Sequence, residues 1–449
     1  MEIRDSSIYR DIQTVLESGV KPVHNTWTAK IHANGNTYQA LKVISIDTHS
    51  DYEFNYSDEI IIKIAMHAGT FAKRIYPFQN GLEITLTKTP ATEVTGQDDQ
   101  DSSLQSERFT ATMIDNGSPI LESNTRNSPT EENLNLTDTI EIELQLVNKA
   151  LEQLRMKMIG GIYRHGTTEN TLKTILTNES KNINVDTVRI PIGVDMYPAS
   201  NVIKRDHVVI PQGTRLVDLG DYIQNKCGGI YSAGLGCYFK RDHWYIAPCY
   251  DVTRYLKAKR KITVINVPAM LMPEVERTYK KDGDSLLILA TGETIIRDDS
   301  EVRQLNIGNG VRFADASKII GGFVETKDNK TRAKRGSNNT EVIAVNRPNK
   351  NNNVINSAAE ITTNSFAEFS KLARNQGNVI TMVWENSNAS LLDPYSVVRI
   401  LYLDGDIVKD VYGVLLKAHD YTQQKRSGLV ETGYKTHTAM VFFTQRINK

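Results

Sequence analysis

Strict alternation between apolar and polar residues marks three segments of the chain as strands. Two lie in residues 58–88, on either side of a break at Pro77 and Gly81, and the third lies in residues 139–147. A period of two, with aliphatic residues on one side and mostly Glu, Lys or Thr on the other, is typical of a strand with one buried face. The predicted core positions of this sheet are Ile60, Ile62, Ile64, Ile84, Leu86, Ile140, Ile142 and Leu144.

The chain begins with a short amphipathic pattern. Ile8, Ile12, Val15 and Leu16 follow helical spacing and Gly19 ends the pattern, so residues 1–25 are expected to form a helical arm. Because a short helix cannot bury such a stripe alone, we expect it to dock on its own sheet or on a neighbour. Residues 27–46 then predict two strands with a turn at residues 34–36.

A long polar insertion separates the second strand of the sheet from the third. Residues 93–138 are rich in Asp, Asn, Gln, Ser and Thr, and only residues 108–114 alternate like a strand. The polar parts cannot bury enough surface to offset the entropy lost on ordering, so we expect loops around one hairpin strand.

The rest of the chain divides into a mixed region and a second β region. Helical patterns follow Thr168 and Thr214, and a hairpin is predicted with its turn at Arg241-Asp242, whereas strand patterns dominate again after residue 376. We therefore predict a mainly β protein with an α+β middle region. Its parts are a helical arm (1–25), a first β-barrel (26–160) carrying the insertion, a mixed middle region (161–375) and a second β-barrel module (376–449).

Net charge excludes several classes of partner. The chain has 53 basic and 53 acidic residues, so it has no overall charge to attract nucleic acid or a membrane surface. No apolar run approaches the roughly 20 residues of a membrane helix, and the charged start does not resemble a signal peptide. We expect a structured protein made in the cytoplasm, with no membrane-spanning segment.

Catalytic and metal-binding motifs are missing from the sequence. There is no phosphate-binding loop, zinc-protease motif, serine-hydrolase elbow or paired CxxC. Cys227, Cys237, His243 and Cys249 share a short window, but their spacing is not that of a structural zinc site, and apolar strand-like runs surround two of the cysteines. Three cysteines also argue against a disulfide framework. The sequence therefore predicts no enzyme activity, catalytic residue, cofactor or metal.

Several stretches resemble the baseplate hub proteins of contractile-tailed bacteriophages. The segment DYEFNYSDEI at residues 51–60, together with residues 75–77 and 82–86, resembles the first tube-like domain of that family. Residues 160–164 and the following helix resemble the segment that leaves this domain, and residues 219–250 resemble the middle region. Residues 391–413 and 433–443 resemble the second tube-like barrel.

The resemblance implies two tube-like antiparallel β-barrel modules per chain and a homotrimer that forms a pseudo-sixfold ring. Such a hub would join the hexameric tail tube to the trimeric central spike, and DNA would cross its lumen without sequence-specific binding. The implied partners are the chain itself, the tail tube protein, the central spike and the baseplate wedge proteins, with a tape-measure protein as a further candidate. The implied location is the tail baseplate of a virion, after synthesis in the host cytoplasm. The eight core positions are then also candidates for contacts between subunits of the tube.

Two other functions are open from the sequence. One is another virion component with similar barrels, at the tube end or in a baseplate wedge, which would differ in copy number. The other, from a different class, is a tail-associated cell-wall hydrolase, which a zymogram on cell-wall material would detect.

Overall fold

A computed structural model of the chain describes most of its residues. The described parts are residues 7–18, 25–90, 105–114, 139–181, 183–185, 188–189, 191–272, 275, 277–295, 311–313, 324–327, 330–334, 340–344, 366, 370, 373–374, 377–404, 407–424 and 434–445. Within them, no helix has the length and apolar character needed to cross a membrane. Apart from residues 105–114, the predicted insertion at residues 93–138 lies outside the described residues.

The first β region forms a six-stranded barrel. After the helix α1 (Ser7–Ser18), its strands are β1 (Asn25–Ala33), β2 (Asn36–Gln39), β3 (Lys42–Asp51), β4 (Glu59–His67), β5 (Leu82–Pro90), β6 (Gln105–Met113) and β7 (Thr139–Asn148). They pair in the order β2-β1-β5-β6-β7-β4-β3. The strands β2 and β3 are one interrupted strand that closes the barrel, because the Ala40 amide donates to Ala29 (2.9 Å) and the Leu41 amide donates to Ala65 (2.9 Å). A short helical segment joins β4 to β5, beginning with α2 (Ala68–Thr70).

The interior of this barrel is formed by the alternating residues. Ile62, Ile64, Ile84 and Leu144 have no exposed surface, and Leu86, Ile140 and Ile142 are also buried. Ile60 is only half-buried, because it packs on the edge of the same core beside a cavity. The alternating glutamates of β7 face outwards, and Lys63 of β4 pairs with Glu141 at 2.9 Å.

The middle region packs three small sheets, the smallest a pair of two-residue strands, and several helices around one core. Its elements are α3 (Lys149–Arg155), β8 (Met158–Gly166), α4 (Thr168–Ser180), β9 (Asn184–Val185), β10 (Val188–Arg189), β11 (Gly193–Met196), β12 (Arg205–Arg215), α5 (Leu219–Lys226), β13 (Leu235–Lys240), β14 (His243–Pro248) and α6 (Arg254–Lys257). The strands β8 and β12 form a two-stranded ribbon, and β11, β14 and β13 form a three-stranded sheet. The predicted hairpin is present: Arg241 and Asp242 both have positive φ angles (50° and 57°), as a tight two-residue turn requires.

The second barrel also has six strands. Its region contains β15 (Lys261–Asn266), β16 (Tyr279–Asp282), β17 (Ser285–Ile295), a separate small sheet of β18 (Val311–Phe313), β19 (Val324–Lys327), β20 (Lys330–Lys334) and β21 (Thr340–Ala344), and then β22 (Asn378–Glu385), β23 (Val397–Asp404), β24 (Ile407–Gln424) and β25 (Tyr434–Gln445). The barrel order is β15-β17-β22-β25-β24-β23, and β23 pairs with β15 to close it. The core includes Trp384, Val264 and Phe442.

Two features of the second barrel differ from the sequence prediction. The prediction began this module at residue 376, but the structure adds β15 and β17 from the part assigned to the middle region. The prediction also made every strand antiparallel, whereas β15 runs parallel to both β17 and β23. A parallel strand needs a long crossover, and residues 267–284 supply it. The sequence did not assign β15 and β17 to the second barrel, because the strands that complete this barrel with them follow much later in the chain.

The N-terminal helix docks on this second barrel. Val15 is fully buried against Ile265, Val267, Leu289 and Leu401. The strand β15 is thus covered on both faces, because Ile262 and Val264 face the barrel core whereas Ile265 faces the helix. The prediction of a mainly β chain with a mixed middle region is confirmed.

The alternation of β7 gives a direct test of this fold. Replacing Leu144 with Asp would place an unpaired carboxylate in the core of the first barrel, so we expect a loss of about 3–5 kcal/mol in the free energy of unfolding. Glu141→Gln removes only a partly exposed ion pair with Lys63, and we expect a loss of less than about 1 kcal/mol. Urea unfolding of both variants measures the difference, and equal losses would contradict the observed register.

Candidate functional site: the seam between the two barrels

The two barrels are built with the same strand order. The six strands of each barrel can be numbered along the chain, with β2 and β3 counted together as strand 2 of the first barrel. In both barrels the strands then pair in the order 1-4-5-6-3-2, and strand 2 pairs with strand 1 to close the barrel. The main difference is the reversed direction of the first strand, β15. The chain therefore carries the same barrel topology twice.

The barrels join edge to edge through β3 and β24. Residues 45–51 of β3 pair antiparallel with residues 417–423 of β24, so one sheet runs β7-β4-β3-β24-β25-β22-β17 through both modules. A β-bulge between Leu415 and Lys417 separates the half of β24 that pairs with β23 from the half that pairs with β3. The two strands of this seam are also linked by Lys417, whose ammonium lies 2.7 Å from Asp51.

Tyr52, at the end of β3, connects all three parts of the molecule. Its amide donates to Leu416 of the second barrel (2.8 Å), and its carbonyl accepts from the Tyr395 hydroxyl (2.8 Å). Its ring contacts the Tyr238 ring of the middle region edge-on, with the centroids 4.7 Å apart. We call this meeting point of the three parts the junction.

A buried ion pair lies within the junction. The Asp58 carboxylate accepts hydrogen bonds from Ser50 (2.5 Å) and Tyr238 (2.7 Å), and the Lys240 ammonium lies 3.4 Å away. Lys240 also donates to Ser50 and to the Tyr52 hydroxyl, both at 3.2 Å. Desolvation acts to lower the pKa of Lys240, but the Asp58 carboxylate and Tyr52 together outweigh it, so the pKa lies above its usual range and the lysine stays charged.

A cavity of about 180 Å³ lies behind the seam, between both barrels and the middle region. Apolar residues of the first barrel line one side, including Trp27 and Phe109, and polar residues of the second barrel, including Thr422 and Asp420, line the other. The half-buried Asp420 side chain faces this cavity. Burial raises the pKa of Asp420, and a hydrogen bond from Thr438 (2.8 Å) only partly offsets this effect.

The cysteine thiols are held in the protonated form more strongly than a free cysteine. Burial raises the pKa of Cys237 to about 12, and it also raises the pKa of Cys227 and of the fully enclosed Cys249. The thiolate is the nucleophilic form, so burial makes all three weak nucleophiles at neutral pH. Among the described residues, none of the three belongs to a cluster of metal-ligating side chains.

The opposite face of the seam is polar and open. Residues at alternate positions of β3, β4, β7 and β24 point away from both cores, and we call this surface the outward face. Carboxylates outnumber lysines on this face. The carboxylates are Asp47, Asp51, Glu59, Glu141 and Glu143, and the lysines are Lys42, Lys63 and Lys417. His49 and His419 lie on the same face, with their rings stacked 3.9 Å apart.

All eight predicted core positions lie in the first barrel, and none of them lies in the ladder between β3 and β24. The residues that hold the seam, including Tyr52, Asp58 and Lys240, were not predicted as functional. The separation of Lys417 from Asp51 along the chain explains why, since no local pattern relates them. The only available signal was the DYEFNYSDEI stretch, which contains Tyr52 and Asp58.

The ion pair of the junction should be sensitive to loss of one partner. Lys240→Met leaves Asp58 buried without its counter-charge, so we expect a loss of about 3–5 kcal/mol in the free energy of unfolding. The double variant Asp58→Asn with Lys240→Met removes both charges and should recover part of that loss. Urea unfolding compares the two, and a double variant less stable than Lys240→Met would contradict the pairing.

Asp420 should give the protein a characteristic pH dependence. Because its pKa is raised in the folded state, folded protein binds the proton more tightly than unfolded chain, and stability falls as pH rises through this window. Asp420→Asn keeps an acceptor for Thr438 and removes the charge, so the variant should lose that slope and be more stable than wild type near neutral pH. Urea unfolding between about pH 4 and pH 7 measures both effects. Identical slopes in the two proteins would exclude this role for Asp420.

Comparison with known proteins gives matches of structure only. No model of a known protein family matches the sequence, and no curated protein matches it. Among solved structures, the chain is similar to a tail protein from Neisseria meningitidis MC58 (10% identity, 93% of this chain and 96% of that chain, TM-score 0.45). It is also similar to the 43 kDa tail protein of prophage MuSo2 from Shewanella oneidensis (11% identity, 92% and 96%, TM-score 0.43). A third similar structure is an Escherichia coli component of the type VI secretion system (10% identity, 93% and 77%, TM-score 0.36).

The resemblance to phage tail and baseplate proteins noted in the sequence thus recurs among solved structures. At these TM-scores, the function must be argued from the molecule itself.

Proposed function

We propose that this chain is a structural protein of a contractile-tail baseplate and forms its central hub, between the tail tube and the spike. The observation that carries the proposal is the repeat of one barrel topology within a single chain, joined edge to edge through β3 and β24. A threefold spike cannot contact a sixfold tube equivalently unless each of its three supports presents two similar surfaces. Three copies of this chain would supply six similar barrels.

The topology also suggests which edges join neighbouring copies. Within the chain, strand 2 of the first barrel (β3) pairs with strand 5 of the second (β24). If the ring repeats this contact, strand 2 of the second barrel, β17, pairs with strand 5 of the first barrel, β6, in the next copy. The Asn266 side chain binds both the amide and the carbonyl of Gly292 (2.9 and 3.3 Å) on the edge of β17 that faces away from β22. Thr294 is the next residue whose backbone lies on that same edge.

The outward face fits the wall of a channel. In a ring of edge-paired sheets, one face of the sheet must look towards the axis, and the barrel cores already occupy the other face. A surface with more carboxylates than lysines repels the phosphate backbone, so DNA could pass without being held. Binding to the tube, spike, wedge and tape-measure proteins, with location in the virion baseplate, belongs to the same proposal.

Nothing in the described site suggests catalysis. The carboxylate of Asp58 is engaged by three donors, and the cysteine thiols are protonated. We infer a purely structural role. The alternative is a component of the tube end or of a baseplate wedge. Such a component would differ from a hub in its copy number per particle.

The copy number per particle tests the proposal directly. We expect three copies in one ring, seen by cryo-electron microscopy of particles that contain the protein or by quantitative mass spectrometry against the tube protein. Six copies in one ring, or a peripheral position, would favour the tube-end or wedge alternative.

A variant of the β17 edge tests the assembly route. Thr294→Pro removes an amide on the edge that faces away from β22, so the isolated chain should keep its unfolding midpoint while its incorporation into rings falls strongly. Thr294→Ala keeps the amide and is the matched control. Normal incorporation of the proline variant would show that this edge does not join the copies.

A further inference from the structure

A histidine pair and an aspartate meet on the outward face of the seam. His49 of β3 lies directly opposite His419 of β24, and Asp47 lies two residue pairs along the ladder, opposite Tyr421. The two imidazole rings stack at 3.9 Å, only 15° from parallel. Because the three residues come from both barrels, the cluster spans the contact between them.

The donor atoms of the cluster are already gathered around one carboxylate oxygen. Asp47 Oδ1 lies 2.6 Å from His419 Nε2 and 3.3 Å from His49 Nε2. In a tetrahedral zinc site with bonds of about 2.0–2.1 Å, neighbouring donor atoms lie about 3.3 Å apart. The His49 pair already has that separation, and the His419 pair is held at hydrogen-bond distance. Within the described residues, this is the one group of three or more metal-ligating side chains whose donors lie this close together.

We propose that this cluster binds a divalent transition-metal ion of the zinc type, with Asp47, His49 and His419 as ligands and water in the fourth position. Two imidazoles and one carboxylate suit Zn²⁺ and related ions, whereas Mg²⁺ and Ca²⁺ prefer oxygen donors alone. The ion would link β3 to β24 and so connect the two barrels through a bond that their ladder does not provide.

The exposure and orientation of the three side chains determine how the ion can bind. The side chains are 30–49% exposed, so an ion can enter from solvent without any opening of the fold. The rings must turn out of their parallel stack to aim both Nε2 lone pairs at one point, and the hydrogen bond between His419 and Asp47 must be replaced. These costs favour moderate, reversible affinity over the tight binding of a closed structural site.

The test uses the full chain without a polyhistidine tag, because a tag would bind the same ions. Isothermal titration with Zn²⁺ should show one saturable equivalent per chain, accompanied by a rise in the unfolding temperature. His49→Gln, His419→Gln and Asp47→Asn should each weaken binding at least roughly tenfold. The matched control is His437→Gln, since His437 lies on the neighbouring strand β25 and contacts Tyr421 rather than the cluster.

Spectroscopy supplies a readout independent of stability. Co²⁺ should give the visible absorption of a four-coordinate site, and this absorption should be lost in His419→Gln but kept in His437→Gln. Mg²⁺ should cause neither effect. Zinc binding that is unchanged in the three cluster variants, an equal response to Mg²⁺, or no binding by the wild-type chain would each overturn the proposal and leave the cluster as a hydrogen-bonded clasp.

Discussion

The backbone ladder between β3 and β24 is the contact on which the rest of the structure depends. It turns two separate barrels into one continuous sheet, and its main-chain hydrogen bonds set the register in which the side chains of the two barrels meet. An exposed sheet edge is a liability for a soluble chain, and pairing the edges of two barrels removes one such edge from each. The junction, the cavity and the histidine cluster all exist because these two strands lie side by side.

The residues that resemble hub proteins come together at this point. Glu53, in the DYEFNYSDEI stretch, accepts a hydrogen bond from Tyr250 (2.6 Å), and Tyr238 binds Asp58 in the same stretch. Tyr395, in the C-terminal stretch, binds the Tyr52 carbonyl. Segments that are far apart in the sequence thus form one packed unit, and their common role is to hold the two barrels and the middle region in a single arrangement.

Burial and charge divide the seam into two surfaces with different properties. The inner surface encloses a charged pair and the raised-pKa carboxylate of Asp420, which oppose stability unless they are paired or protonated. The outward face keeps its charges in contact with solvent, where each contributes little to folding. The contacts that fix the arrangement of the barrels therefore lie on the inner surface. The outward face can contact other subunits or a ligand.

The sequence by itself determined the elements whose information is local. Period-two alternation marked β4, β5 and β7 and their buried positions, and helical spacing marked the N-terminal helix. It could not determine which strands share a barrel, because β15 and β17 are completed by strands more than 80 residues later. The seam and its cluster were equally out of reach, because Asp47 and His419 are separated by 372 residues. A ladder of backbone hydrogen bonds is nearly independent of side-chain identity, so only the tertiary structure decided which edges meet.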